Sequence, residues 1–381
     1  MSETDKHLIA HVGQGKTGTS AIQTALALGV EALKTHGIVY PDNRSLDQAR
    51  AGRISSGNVN GVSFFETCST ELEACDPGET VLVSNESLHR VFFEDVSPLK
   101  RILAHADSVK LIYYIRDPLS QALSAYGQSV KRGGSMASVS EYLLSDINLK
   151  ISIEFLELLD ALPVQVEIVN YSRHEDRHIA RFGQALGLAD DVLSLPEGRR
   201  VNRSLTRSEL YFQQQLSSHA KNPKVANISD ALCNELPDIP SEIPYFSAET
   251  HRAFIEAQLP WVEKLNSLIP AEEALALPQY DDIAPNLAPK DETVLEFSTA
   301  QIDVLARTLM QRIPSQIVNK DVRELASRIR PDHQLTETDA VILLDMAAAF
   351  LPNAEGVRRK RDRLREKIAG RTRGKAPARN K

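Results

Sequence analysis

The chain has 381 residues, 42% of them hydrophobic, enough to bury one large core with room for a smaller second unit. Its three cysteines, Cys68, Cys75 and Cys233, are an odd and sparse set that fits neither a disulfide framework nor a CxxC metal site, so a reducing compartment is expected. The formal net charge is −7, no apolar run approaches the roughly 20 residues of a membrane-spanning helix, and the start lacks a secretory apolar stretch; a cytoplasmic location and no nucleic-acid partner are expected.

Five short β-type runs alternate with helical stretches, at residues 7–12, 37–41, 80–84, 109–115 and 164–170. Such alternation predicts an α/β fold, a mostly parallel sheet covered by helices on both faces with right-handed crossovers. No internal repeat interrupts the pattern.

The first run leads into HVGQGKTGTSAIQ (11–23), with glycines at 13, 15 and 18 around Lys16 and hydroxyls at Thr17, Thr19 and Ser20. Ile22, Ala25, Leu26 and Leu33 then fall at helical spacing. Small residues let successive N–H groups converge on an anion at a helix N-terminus, and Lys16 adds a mobile charge. A strict Walker A loop needs glycine where Ala10 stands, which weakens an ATP-dependent reading.

Further along, the Gly- and Ser-rich stretch 51–63 offers Arg53, Asn58 and Asn60 as acceptor contacts. Glu86 follows the run 80–84 directly and is the preferred proton acceptor; His89, three residues on, is the alternative. Arg116 ends the run 109–115, where open α/β sheets bind ligands, and its planar fork suits a phosphate dianion. Asp117 and Pro118 read as the cap and first turn of a helix. Leu119, Ala122, Leu123, Tyr126 and Val130 form its inward stripe and leave Ser120 and Ser124 on another face. Ser124 is placed to share a phosphate with Arg116; the competing reading pairs Arg116 with a nearby acid.

Tyr171 follows the fifth run, where it reads as a packed core tyrosine or as a residue of the sheet edge. RHEDRH (173–178) contains a literal HExxH, set aside because its flanks are polar and no third ligand follows. Asn202 and Arg203 read either as ligand contacts or as surface polar residues. The Pro- and Asp-rich string after Leu275 reads as a connector, giving an α/β domain at 1–275, a C-terminal helical extension at 276–356 and a basic, disordered tail at 357–381. That last segment carries 12 of the 44 Lys and Arg but 2 of the 51 Asp and Glu, a composition suited to contact with polyanions.

KTGTS before an amphipathic helix, together with Arg116-Asp117-Pro118 and a serine eight positions after the arginine, resembles the two nucleotide-binding motifs of the PAPS-dependent sulfotransferases (PAPS, 3′-phosphoadenosine 5′-phosphosulfate), in particular their bacterial and heparan-sulfate-type branches. The resemblance covers residues 7–210 and implies a P-loop-like fold. It also implies that Lys16 contacts the sulfate and the bridging oxygen, that Thr17, Gly18, Thr19 and Ser20 hold the 5′-phosphate, that Arg116 and Ser124 hold the 3′-phosphate, and that Tyr171 lies near the nucleotide. Ser84-Asn85-Glu86 is similar to the Ser-x-Glu of bacterial members, while cytosolic relatives carry a histidine in this region. VNRSLTRSEL (201–210) resembles a segment common after the catalytic core.

The function so implied is transfer of a sulfuryl group from PAPS, as co-substrate, to a hydroxyl or amine acceptor, with carbohydrate preferred and no metal. A P-loop kinase or nucleotide hydrolase and a non-catalytic nucleotide-binding protein are the alternatives.

Overall fold

A computed structural model describes residues 5–42, 44–50, 57–195, 203–219, 226–289, 294–312, 336–350 and 355–373. Five strands, β1 (His7–Gly13), β2 (Ile38–Val39), β3 (Thr80–Ser84), β4 (Ser108–Ile115) and β5 (Gln165–Asn170), form one parallel sheet in the order β2-β3-β1-β4-β5. Four of the predicted runs agree with these strands to within a residue at either end; the run 37–41 pairs only over Ile38–Val39, at the sheet edge beside β3. The sheet is α/β and P-loop-like, and its chain order reverses at β1, which pairs with β3 on one side and β4 on the other. Open α/β sheets hold their ligands in the crevice above such a reversal.

β4 shows why the sheet is parallel and buried. Val109, Leu111, Tyr113 and Ile115 face one core with Phe64, Phe92 and Phe155, while Ile112 and Tyr114 face a second with Ile22, Leu26 and Phe182. A strand apolar on both faces is stable only when helices cover both. Here the helices Phe64–Ala74 and Asn148–Asp160 cover the first face, and α1 (Thr19–Leu28) and His178–Ala185 the second.

A third core forms around the helix Pro118–Gln128. Its stripe Leu119, Ala122 and Tyr126, continued by Val130 just after the helix, packs against Leu205, Leu210, Phe246 and Phe254, with Leu123 partly buried beside them. Ile283 joins this cluster, Leu287 bridges to Ile243, and the Ala276 N–H donates to Asp117 Oδ1 at 3.0 Å. The first compact unit therefore runs to Gln301, beyond the boundary expected at 275, because the Pro-rich string carries apolar side chains that dock on this core.

The second unit, Ile302–Lys381, contains two packed helices, Glu337–Phe350 and Glu355–Arg373. Arg365 bonds Asp345 at 2.7 Å and Lys367 bonds Glu337 at 2.8 Å. The tail expected to be disordered from 357 is thus helical to Arg373, its cations met in part by carboxylates of the neighbouring helix. No helix among the described residues is long and apolar enough to cross a membrane.

Candidate functional site at the C-terminal edge of the sheet

Lys16, Glu86, Arg116 and Tyr171 all follow the C-terminal ends of strands, β1, β3, β4 and β5 respectively, so one edge of the sheet gathers them. β1 ends at Gly13, whose φ of 108° is open to glycine alone and whose missing Cβ leaves room for the Glu86 carbonyl. The chain then turns through residues 14–18. Lys16 holds a φ of 73°, a left-handed conformation that costs an L-residue energy and gathers at functional loops. Gly18, at φ 75°, is the N-cap of α1 and provides no side-chain cap.

The loop is tied to its surroundings at several points. The Gln14 N–H donates to the Tyr114 carbonyl at 2.8 Å and its side-chain amide to Ser152 at 2.8 Å. Thr17 is fully buried, and its hydroxyl donates to the Gln14 carbonyl; the Thr19 hydroxyl reaches the same oxygen at 3.4 Å. These two hydroxyls therefore close the loop instead of facing outward, and Ser20 is the half-buried hydroxyl that remains. The N–H groups of Ala21 and Ile22 turn to the Gly18 carbonyl at 2.9 and 3.1 Å, whereas those of residues 16–20 meet no backbone acceptor among the described residues. N–H groups without a backbone acceptor among the described residues, at a helix N-terminus, are donors of the kind an anion can take.

Arg116 meets the same loop. Its Nη1 donates to the Lys16 carbonyl at 2.9 Å, its guanidinium lies 5.1 Å from the Tyr171 ring centre, and its Nε is buried without a partner. The alternative in which Arg116 pairs with an acid is not what the fold adopts: no ion pair forms at this guanidinium among the described residues. Asp117, at the cap position, makes no cap hydrogen bond either. Its Oδ1 accepts from the Asn170 amide at 3.2 Å and from the Ala276 N–H, tying the end of β5 and the connector to β4.

Ser124 is half-buried one turn along the same helix face as Gln121 and Gln128 and has no hydrogen-bond partner among the described residues. Gln121 donates to the Gly15 carbonyl at 3.0 Å, and Gln128 Oε1 accepts from Lys16 Nζ at 2.8 Å. Burial, followed by the charges of Lys131, Arg132 and Arg116 and partly opposed by Glu86, lowers the Lys16 pKa to about 8.

Glu86 is half-buried beside the loop, its Oε2 3.6 Å from where a Cβ would stand on Gly15. His89 is 5% exposed and packs near Tyr113 and Phe155. Its Nδ1 lies 3.2 Å from the Val12 carbonyl and 3.1 Å from that of Glu86, which makes Nδ1 the protonated nitrogen. Burial outweighs those two carbonyls and lowers its pKa to about 4. Of the two proposed bases, His89 is thus a structural strut under the loop, and Glu86 borders the crevice.

Tyr171 is half-buried against the second core and stands beside the loop, its Cε2 2.7 Å from the point a Cβ on Gly18 would occupy. His178 closes on the same glycine from 2.8 Å. The HExxH string is broken between two helices, so its imidazoles diverge, His174 to Glu273 at 3.2 Å and His178 to Gly18 and Tyr171. Among the described residues no group of three His, Cys, Asp or Glu stands together as metal ligands would.

Two other expectations, for Asn58 and Arg203, are corrected. Asn58 is 3% exposed and straps the end of β3, its Oδ1 accepting the Ser84 N–H at 2.7 Å and its amide reaching the Leu82 carbonyl at 3.2 Å, so it contacts no acceptor. Asn60 is exposed and accepts the Val62 N–H at 3.0 Å. Arg203 is neither a ligand contact nor a surface residue: it is buried and makes a two-pronged ion pair with Glu209 at 2.7 and 2.8 Å. Arg53 and Asn202 lie outside the described residues. Gln121, Gln128 and His178 were missed; the i, i+3, i+7 spacing of Gln121, Ser124 and Gln128 on one helix face was the signal available for two of them.

Fold and site together define an α/β, P-loop-like protein in which an arginine after β4 meets the loop after β1. A solved structure, "Crystal Structure of Sulfotransferase from Alicyclobacillus acidocaldarius", is similar to this chain with a TM-score of 0.36 and 13% sequence identity over 68% of this chain and 94% of that one. No protein-family model and no curated protein matches the sequence.

Proposed function

We propose that the protein is a sulfotransferase that moves a sulfuryl group from PAPS to a hydroxyl or amine acceptor, a carbohydrate hydroxyl being the first to test. The observation that carries this reading is the bond between Arg116 Nη1 and the Lys16 carbonyl, which brings the loop after β1 and the arginine after β4 together and so supports their serving one ligand. A nucleotide with an anionic group at each end suits that pair. The unpaired N–H groups of residues 16–20 and the hydroxyl of Ser20 suit a 5′-phosphate, and the unpartnered Arg116 Nε with the free Ser124 hydroxyl suits a 3′-phosphate.

In the transfer, the acceptor oxygen forms a bond to sulfur as the bond from sulfur to the bridging oxygen breaks. The electron pair stays on the 5′-phosphate, and the acceptor proton passes to the Glu86 carboxylate. Lys16, with a pKa of about 8, is mostly protonated at neutral pH and stabilises the charge that develops on the leaving phosphate. Glu86 and Lys16 sit close enough for the carboxylate to raise the ammonium's proton affinity, so base and electrophilic assistant border one volume.

Calorimetric titration with adenosine 3′,5′-bisphosphate and with ATP plus magnesium, alongside transfer from labelled PAPS to acceptor pools, tests the proposal. Tighter binding of the bisphosphate and label appearing in a saccharide pool are expected. Preference for ATP would move the protein to the kinase or hydrolase class, and bisphosphate binding without transfer to any pool would make it a nucleotide-binding protein.

A further inference from the structure

Lys16 is held from one direction at three points. Gln121 takes the carbonyl of the preceding Gly15 at 3.0 Å, Arg116 takes the carbonyl of Lys16 itself at 2.9 Å, and Gln128 takes its ammonium at 2.8 Å. Gln121 and Gln128 lie seven residues apart on the helix Pro118–Gln128, and so on one face, with Ser124 between them. The opposite stripe of that helix is fixed in the third core. The ridge facing the loop is therefore positioned by packing that does not involve the loop. Directly after Gln128 the helix widens into one π turn, Ser129–Gly133, which carries Lys131 and Arg132.

The charges around the ammonium make its partner consequential. Lys131, Arg132 and Arg116 repel a proton on Lys16, and Glu86 alone attracts one. Arg132 is itself neutralised by Asp230 at 2.6 and 2.8 Å, and Lys131 donates to the Arg203 carbonyl at 2.9 Å. In a half-buried position with this balance, an ammonium without an acceptor would lose its proton more readily. A carboxylate at position 128 would hold it in a charge-assisted bond, stronger than a bond to a neutral amide and in competition with any arriving anion.

We propose that Gln128 is the positioning residue of Lys16: its neutral amide oxygen holds the ammonium at the loop and yields it to the phosphosulfate of the incoming donor. The identity of that anion rests on the sulfotransferase reading; the hold on Lys16 does not.

The test reads the ammonium directly. Lys16 in the full-length protein is labelled with an amine-directed reagent over a pH series, and its extent of labelling is followed on the Lys16 peptide by mass spectrometry, with and without adenosine 3′,5′-bisphosphate. The wild type is expected to show a labelling midpoint of about 8 and protection by the bisphosphate. Gln128→Glu, which places a carboxylate within reach, is expected to raise the midpoint by about one unit and to weaken protection. Gln128→Met, of similar shape without an acceptor, is expected to lower it, and this variant carries the test alone if the glutamate variant does not fold. A midpoint that stays at the wild-type value in the folded variants overturns the proposal. Labelling needs no turnover, so midpoints that move as expected in a protein that never transfers a sulfuryl group would overturn the functional reading and leave the role of Gln128 standing.

Discussion

The Tyr171 ring lies over Gly18, with Cε2 2.7 Å from the point where a Cβ at position 18 would stand, and His178 Cδ2 closes on the same point at 2.8 Å. Two rings from the end of β5 and the helix after it thus seal the N-cap of α1. The cap also needs a φ of 75°, which any L-residue adopts at a cost. Gly18→Ala is expected to destabilise the protein by about 1–2 kcal/mol, from backbone strain and displaced rings. Displacement of the loop N–H groups is expected to weaken adenosine 3′,5′-bisphosphate binding by about tenfold or more. Urea unfolding and calorimetry measure the two effects. Undiminished affinity in the folded variant would show that the anion binds elsewhere.

Arg116 steadies Lys16 through its carbonyl and keeps its Nε buried without a partner; the proposed function gives the guanidinium a second task, holding the 3′-phosphate. The two tasks separate with two ligands. Arg116→Ala is expected to cost about 1.5–3 kcal/mol in binding adenosine 3′,5′-bisphosphate, the range for a lost charged hydrogen bond. Adenosine 5′-phosphate, which lacks the second anion, is expected to lose much less. Equal losses for both nucleotides would mean that Arg116 acts only by shaping the loop, with no 3′-phosphate in its reach.

Much of this edge was legible because it is local in sequence. Strands announce themselves as short apolar runs, and the residues just after each run inherit a place on the edge, which is how Lys16, Glu86 and Arg116 are brought together from spacing; Tyr171 joins them through the family resemblance. Polar residues whose partners are distant in sequence were not legible. Asn58 and Arg203 look like solvated loop residues, yet both are buried because their partners, the end of β3 and the Glu209 carboxylate, arrive through the fold. Gln121 and Gln128 resemble an exposed helix face until loop 14–18 is seen to cover it. His178 was set aside with the HExxH string, which presumes one continuous helix; a break at Arg177 sends the two imidazoles to different places. The boundary at 275 failed for a related reason, since proline and aspartate mark a connector but do not reveal that Ile283 and Leu287 dock on the main unit.

The assignment of the proton acceptor to Glu86 over His89 has a kinetic consequence. Glu86→Gln is expected to lower kcat by about 10²–10⁴ with donor binding retained, since a general base contributes that much to transfer. His89→Gln is expected to act on stability, because the imidazole braces the Val12 and Glu86 carbonyls under Gly13. In the wild type, kcat/KM is expected to fall as pH rises through about 8, where Lys16 loses its proton. A folded His89→Gln variant with the larger kcat defect would reverse the assignment.

His11 supplies a stability test that is independent of any ligand. It sits in the middle of β1, fully buried between Tyr114 and Phe182, with Nδ1 at 2.9 Å from the Ser84 hydroxyl, and burial lowers its pKa from 6.5 to about 3. A group that must stay neutral in the folded state binds its proton first in the unfolded chain. Its contribution is therefore whole above pH 6.5 and is lost as pH falls from there toward 3. In that window one such histidine imposes a slope of about 1.4 kcal/mol per pH unit. His89, with a pKa of about 4, adds a similar slope over its own window. His11→Asn keeps an acceptor for the Ser84 hydroxyl and removes the titrating ring, so urea unfolding between pH 6.5 and 5 is expected to show a slope lower by about one proton than in the wild type. Equal slopes in the two proteins would mean that His11 takes up a proton without unfolding, which a fully buried ring between two aromatic side chains has no room to do.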